Sequence, residues 1–288
     1  MDAIRSVVTR GKRAVRPRLE ELAQRARIVA RLLRDPRRTK QIEWLGRGVD
    51  FTEQWPHADT GRAKRAENPL RAFFDARGEG RGIWKWDHYF DLYERHLRHF
   101  RGAEVHVLEI GVYAGGSLEM WRDYFGSDCR VYGVDIDESC KRFEDASTRI
   151  FIGDQADREF WRRFRAAVPR LDVVIDDGGH KVHQQVATLE ELLPHLNPGG
   201  VYVCEDVHGS SSGFGAYVAG LVQALNAAEL TEDFHDPERR LVSRTTGFQS
   251  LVDSIHVYPF AIVIVRRNEP LAELVAPQHG TDWGSLRR

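Results

Sequence analysis

The stretch 171–208 reads Leu171-Asp172-Val173-Val174-Ile175-Asp176-Asp177-Gly178-Gly179-His180, then a segment of helical period over 182–193, then Asn197-Pro198-Gly199-Gly200, then Val201-Tyr202-Val203-Cys204-Glu205-Asp206-Val207-His208. Two apolar, largely β-branched runs each finish in a pair of acids. Such a run, flanked by Gly and Pro, suits a strand buried on both faces of a parallel sheet. The segment 182–193 fits the crossover helix of a βαβ unit, ended by Pro194 and the Asn-Pro-Gly-Gly turn. Neighbouring parallel strands then present Asp176, Asp177, Glu205 and Asp206 at the carboxyl edge, where open α/β sheets bind ligands. Unrelieved, four carboxylates there repel one another and raise their pKa values. A hard cation resolves the conflict.

Upstream, the same alternation continues. Asp87 is read as the cap of a helix whose apolar and aromatic residues (Tyr89, Leu92 or Tyr93, Leu97, Phe100) recur at helical spacing. Strands are expected over 105–110, 130–135 and 148–152, with helices over 118–125 and 157–168. Downstream, a helix is expected around 217–229 and a hairpin from 254–258 and 260–265 about Pro259. The fold class that follows is α/β: a Rossmann-like, doubly wound, mostly parallel seven-stranded sheet with an antiparallel C-terminal hairpin strand and a helical N-terminal extension. Residues 1–80 are expected to form a basic helical extension and connector, and 81–288 the α/β domain.

The 288 residues carry a net charge of −1 that hides an asymmetry. Residues 1–40 hold thirteen Lys/Arg against four Asp/Glu, or +9, leaving −10 for the rest. A basic arm can bind nucleic acid or an anionic membrane. Here Leu19, Leu22, Ala26, Val29 and Leu33 form an apolar stripe, and no stacking aromatic precedes Trp44, which favours a docking or subunit-contact helix. Two helical pieces are read over 1–33, with Asp35-Pro36 ending the second. Residues 40–82 read as a loop-rich connector with one short helix near 70–76, and Trp44, Phe51 and Trp55 as aromatics that bury area. No apolar run spans a bilayer, the first residues lack a secretory signal, and Cys129, Cys140 and Cys204 have no metal-type spacing, so the expectation is a cytoplasmic protein with reduced thiols.

Gly111-x-x-x-Gly115-Gly116 after the first strand, with Asp135 ending the second, is the general device for an adenosine-containing cofactor. The spacing departs from G-x-G-x-x-G, and Glu109 just before the turn disfavours a pyrophosphate, which argues against a nicotinamide-dependent oxidoreductase. S-adenosylmethionine has no phosphate and two cationic groups, and acids suit it. Asp154 and Gln155 after strand three are placed to read the adenine edge. The expected cofactor set is Glu109, Gly111, Tyr113, Gly115, Asp135, Asp154, Gln155 and Asp176.

The runs KWDHYFDLYERHL, LEIGVYAGGSLEMWRDYF, VYGVDID, FIGDQAD, VVIDDGGH and PGGVYVCEDVH, within 84–265, together resemble class I methyltransferases of natural-product biosynthesis. The similarity is to metal-dependent sugar O-methyltransferases of macrolides and aromatic polyketides, the mycinamicin and elloramycin types, with cephalosporin hydroxylases as relatives. The resemblance implies Mg²⁺ on Asp177, Glu205 and Asp206, with His180 as general base beside Asp177. After the Glu-Asp pair the chain departs from the family's aromatic-containing segment, reading HGSSSGFGAYV. Oxygen-only ligands agree with Mg²⁺ or Mn²⁺ and leave positions for water or vicinal hydroxyls. His180 with His183 as a zinc pair finds no third ligand. Trp84, Trp86, His88 and Tyr89 read equally as a lid or as packing.

The expected activity is methylation of a sugar hydroxyl on a glycosylated natural product or glycolipid. A catechol-like or other vicinal-oxygen acceptor is the alternative, and a non-catalytic binding protein a different class. The expected partners are a small-molecule glycoside acceptor and further copies of the chain, with no nucleic acid and no membrane span.

Overall fold

Apolar side chains at alternate positions of one strand enter two different cores only when both faces of the sheet are covered. In β1 (Val105–Ile110), Val105 and Val107 pack with Val173, Ile175, Val201 and Val203. Leu108 and Ile110 point the other way, to Val174, Tyr202 and Cys204. The strands of the quoted stretch, β4 (Leu171–Asp176) and β5 (Leu196–Cys204), are thus buried on both faces, as their β-branched runs require.

The computed structural model describes residues 36–57, 67–208, 213–227, 240–277 and 279–280. The chain divides into a unit up to Arg65 and a second from Ala66. The described part of the first is α1 (Pro36–Thr52) with the short segment 53–57 after it. Pro36 is the first residue of this helix, a position where proline is tolerated because its missing N–H costs nothing. The expected connector thus begins as helix, with Gly46 and Gly48 carried inside it. Trp44, Phe51 and Trp55 are exposed, contrary to the expected burial. The pieces over 1–33 and their apolar stripe lie outside the described residues.

In the second unit, α2 (Pro69–Asp75) is capped by Asn68, whose Oδ1 accepts from Arg71 N at 3.2 Å. The next helix, α3 (Tyr89–Leu97), starts without a side-chain cap. Asp87 instead pairs with the Arg71 guanidinium. After β1 come α4 (Gly116–Phe125), β2 (Cys129–Asp135), β3 (Thr148–Ile152) and α5 (Arg158–Ala167), then β4, α6 (Val182–Leu192) and β5. The chain continues with α7 (Gly213–Asn226), β6 (Arg240–Arg244), α8 (Gly247–Leu251), β7 (Val252–Tyr258), β8 (Ala261–Arg266) and β9 (Glu273–Pro277). The Asn-Pro-Gly-Gly turn lies inside the irregular start of β5, where the register against β4 shifts.

The main sheet has the order β3-β2-β1-β4-β5-β8-β7. β1 to β5 are parallel, and β8 runs against both β5 and β7. This is the expected seven-stranded, mostly parallel sheet with its C-terminal hairpin. The pair β6–β9 forms a separate antiparallel ribbon that the sequence pattern did not suggest. The order reverses between β1 and β4, so the loops leaving these two strands diverge and leave a crevice at their carboxyl ends. No described helix is long and apolar enough to cross a membrane.

Candidate functional site

At that crevice lies a cavity of about 830 Å³, within the range of small-molecule sites. Its walls come from the segment 82–87, the turn after β1, the ends of β2 and β3, and the loops after β4 and β5. Gly111 closes the floor. Its φ of 87° lies in the left-handed region, and a Cβ there would run into the carbonyl oxygen of Asp177. The glycine is needed where two loops of the protein cross, so that Asp177 N can donate to Ile110 O at 3.0 Å.

The expected residues separate into those that face the cavity and those behind its wall. Gly111, Tyr113, Asp135, Asp154, Gln155, Asp177, His180, Glu205 and Asp206 line it. Asp135 Oδ2 accepts from Tyr113 N at 3.0 Å, which fixes the carboxylate at the mouth of the turn. Gln155 lines the wall, yet its amide ties Asp176 Oδ1 (2.6 Å) to Gly179 N (2.9 Å). Gly115 meets the Phe143 ring instead of the cavity. Asp176 is buried, its second oxygen accepting from Tyr202 OH at 2.7 Å, and burial pushes its pKa up to about 7. Side chains alternate along a strand, so Asp176 and Asp177 leave β4 on opposite faces. Of the four carboxylates, three reach the cavity.

Asp177, His180 and Asp206 form one group, with a ligand atom of each within 4.8 Å of the others. Nε2 of His180 is 3.7 Å from Asp206 Oδ2. Asp206 is oriented from its other side: Oδ1 accepts from Trp86 Nε1 at 2.9 Å and lies 3.0 Å from Tyr89 OH, which accepts from Asp206 N at 3.1 Å. The backbone is strained here. Tyr113, His180, Asp206 and Phe260 are the non-glycine residues with positive φ among those described. Three of the four line the cavity, and the Phe260 ring lies tilted against Trp86, with centroids 5.3 Å apart. Strain of this kind, about 1–3 kcal/mol per residue, persists where surroundings over-determine it.

Glu205, expected beside Asp177 and Asp206, turns toward Lys85. Lys85 Nζ donates to Asp177 Oδ2 at 2.6 Å and to Glu205 at 3.0 and 3.2 Å, and Glu109 Oε1 lies 3.4 Å away. Tyr93 OH also donates to Glu205. Burial alone would push the Lys85 pKa down, but the three carboxylates reverse this and hold it well above the ordinary value. Burial and the Asp177 charge push Glu205 up to about 8, against the pull of Lys85. Glu109 is fully buried and raised by burial, opposed by Lys85, the Ser117 hydroxyl at 2.7 Å and the Trp121 indole.

Lys85 escaped the sequence reading because the segment Trp84-Lys85-Trp86 suggests buried tryptophans and a solvated lysine. The structure reverses this. The Lys85 side chain is 2% exposed, and Trp84 is 87% exposed. A lone lysine between aromatics, 92 and 120 residues from Asp177 and Glu205, was the available signal.

Residues 108–207 match the family model for a methyltransferase domain. That match covers about a third of the chain, from within β1 to just past β5. The chain is 37% identical over 200 residues to demethylmacrocin O-methyltransferase of Streptomyces fradiae, covering 60% of this chain and 48% of that one. It is 34% identical over 207 residues to 8-demethyl-8-alpha-L-rhamnosyl tetracenomycin-C 2'-O-methyltransferase of Streptomyces olivaceus, covering 65% and 52%. The solved MycE methyltransferase of mycinamycin biosynthesis, in complex with Mg, SAH and mycinamycin VI, superposes with a TM-score of 0.54 at 27% identity, over 69% of this chain and 54% of that one. The chain thus spans about half the length of the relatives it matches, and its similarity is to macrolide and polyketide sugar O-methyltransferases.

Proposed function

We propose that the chain is an S-adenosylmethionine-dependent O-methyltransferase, assisted by Mg²⁺ or Mn²⁺, that methylates a sugar hydroxyl of a glycosylated natural product. The observation that carries this reading is the placement of Asp177, His180 and Asp206 in the same cavity as Asp135. Asp177 and Asp206 offer carboxylate oxygens suited to a hard cation, with the His180 imidazole beside them as the base, and Asp135 offers a carboxylate suited to a ribose diol. The residues fit both groups. Asp154 adds an acceptor, and the acidic lining complements a sulfonium and an ammonium.

A bound divalent ion would polarise the acceptor oxygens and make one hydroxyl more acidic. The protein's part is positional. Trp86 and Tyr89 hold Asp206, and Lys85 holds Asp177. His180, in its neutral form, takes the hydroxyl proton while the oxygen attacks the methyl carbon and the carbon–sulfur bond breaks, leaving the thioether. The glycoside class rests on the demethylmacrocin, rhamnosyl tetracenomycin and mycinamycin acceptors of the relatives. The buried free thiols Cys129, Cys140 and Cys204 accord with a reducing, cytoplasmic location. The homo-oligomer stays part of the proposal, resting on the apolar stripe of the N-terminal sequence.

The test is an acceptor panel of deoxysugar glycosides and catechols, scored by mass spectrometry, with parallel calorimetric titration by S-adenosylhomocysteine and NAD. Methylated glycosides and S-adenosylhomocysteine binding support the reading. Methylated catechols alone would replace the acceptor class, and NAD binding would replace the cofactor.

A further inference from the structure

Aromatic rings crowd the Asp206 end of the cavity. Trp86 and His208 both line it, with Trp86 Nε1 at 2.9 Å and His208 Nε2 at 3.8 Å from Asp206 Oδ1. Packing alone would bury such rings, yet Trp86 is 47% exposed and the His208 side chain 51%. Phe260 braces both from outside the lining. Its ring centroid lies 5.3 Å from that of Trp86 and 5.0 Å from that of His208, within the range of favourable aromatic pairs. Phe260 occupies the turn between β7 and β8 at φ 60°, where a bulky side chain is an outlier and glycine would be unstrained. The backbone of this turn is anchored without the ring: Phe260 O accepts from Val207 N at 2.9 Å and lies 2.9 Å from Tyr89 OH. The ring is thus held against its own backbone preference, and its closest ring contacts are the two that line the cavity.

We infer that Trp86 and His208, backed by Phe260, form the acceptor wall of the cavity and take the C–H face of a sugar ring that bears few hydroxyls. The wall stands beside Asp206 and His180, where the hydroxyl to be methylated would lie, whereas Asp135, held by the turn after β1, belongs to the cofactor. The polar atoms around the wall are already engaged: Trp86 Nε1 and Tyr89 OH with Asp206, and His88 Nε2 with Pro259 O at 2.8 Å. What remains for a ligand is π surface, which attracts the weakly positive C–H groups of a sugar face and leaves hydroxyls laid against it unsatisfied. Phe260 is a positioning residue that acts through the two rings. The acceptor class rests on the proposed function, and the place of the wall rests on the rings themselves.

The experiment measures kcat and KM for a deoxyhexoside and for the hexoside that carries the extra hydroxyl, in wild type, Phe260→Gly, Phe260→Asn and Phe260→Tyr. Calorimetric affinities for S-adenosylhomocysteine and Mn²⁺ accompany them, and circular dichroism reports folding. Glycine and asparagine both tolerate the left-handed turn, so either removes the ring and keeps the backbone. Phe260→Gly is expected to raise the KM of the deoxyhexoside roughly three- to tenfold, the equivalent of one aromatic contact, and to narrow the preference over the hexoside. Its kcat and both affinities should stay within about twofold of wild type, and Phe260→Tyr should restore KM. A KM change below about twofold in folded Phe260→Gly would overturn the inference. So would an equal loss of S-adenosylhomocysteine affinity, which assigns the wall to the cofactor, or a fall in kcat at unchanged KM, which assigns Phe260 to Asp206. Should Phe260→Gly fail to fold, Phe260→Asn decides. A wild type that favours the hexoside overturns the hydroxyl-poor face. If wild type methylates catechols and no glycoside, the proposed acceptor class and the sugar face fall together, while the same KM comparison on the catechol still decides whether Phe260 positions an acceptor wall.

Discussion

Replacing Tyr89 with phenylalanine removes one oxygen and the hydrogen bonds that hold Asp206. The hydroxyl accepts from Asp206 N at 3.1 Å and lies within donating distance of Asp206 Oδ1 (3.0 Å) and Phe260 O (2.9 Å). One proton serves the two acceptors, so the net loss is one donated and one accepted bond. Leaving the Asp206 N–H without its partner costs about 1–2 kcal/mol at a part-buried site. Asp206 also sits at φ 52°, a conformation that costs a non-glycine residue about 1 kcal/mol and persists only while its bonds hold it. The expected destabilisation is about 2 kcal/mol, which for a domain of this size lowers Tm by about 4–8 °C. The ring itself stays packed at the edge of Tyr93, so little cavity term is added. Because the hydroxyl orients a candidate metal ligand, Mn²⁺ affinity should fall about 10- to 100-fold. Thermal denaturation followed by circular dichroism and Mn²⁺ calorimetry read the two effects. A Tm within about 1 °C of wild type, with unchanged Mn²⁺ affinity, would refute the reasoning.

Three further perturbations test other parts of the site. His180→Ala should lower kcat by roughly 10²–10⁴ while S-adenosylhomocysteine affinity is kept, and retention of most of kcat would remove His180 as the base. Gly111→Ala forces a left-handed alanine against the Asp177 carbonyl and should cost about 3 kcal/mol or more, measured by urea denaturation; wild-type stability would mean that the loop crossing is softer than drawn. Asp176, raised to about 7, favours its neutral form in the fold, so its contribution is complete below its unfolded value near pH 3.9 and is lost as pH rises toward 7. The metal-free protein should lose up to roughly 4 kcal/mol across that window, and Asp176→Asn should flatten the slope; equal slopes in wild type and variant would contradict the assignment.

The sheet was legible because burial on both faces leaves an unmistakable mark: runs such as Val173-Val174-Ile175 have no polar position to hide a face. The carboxyl edge followed from the acids that end those runs. Which acids meet was not legible. Periodicity of two sends Asp176 inward to Tyr202 and Gln155 and Asp177 outward, a consequence that the four-carboxylate picture overlooked. Lys85 was missed for a different reason. Hydropathy assigns lysine to water, and only long-range charge, Asp177 and Glu205 from two distant strand ends, overrides it. Asp87 was misplaced as a cap because the Arg71 that captures it comes from another helix.

The central claim is metal-assisted methyl transfer to a sugar hydroxyl. Its most direct test uses S-adenosylmethionine with a deuterated methyl group and a deoxysugar glycoside, followed by mass spectrometry, first with excess chelator and then with Mg²⁺ restored. The account predicts no labelled product under chelation and one labelled methyl per glycoside once Mg²⁺ returns. Full turnover with the metal verifiably removed would contradict it.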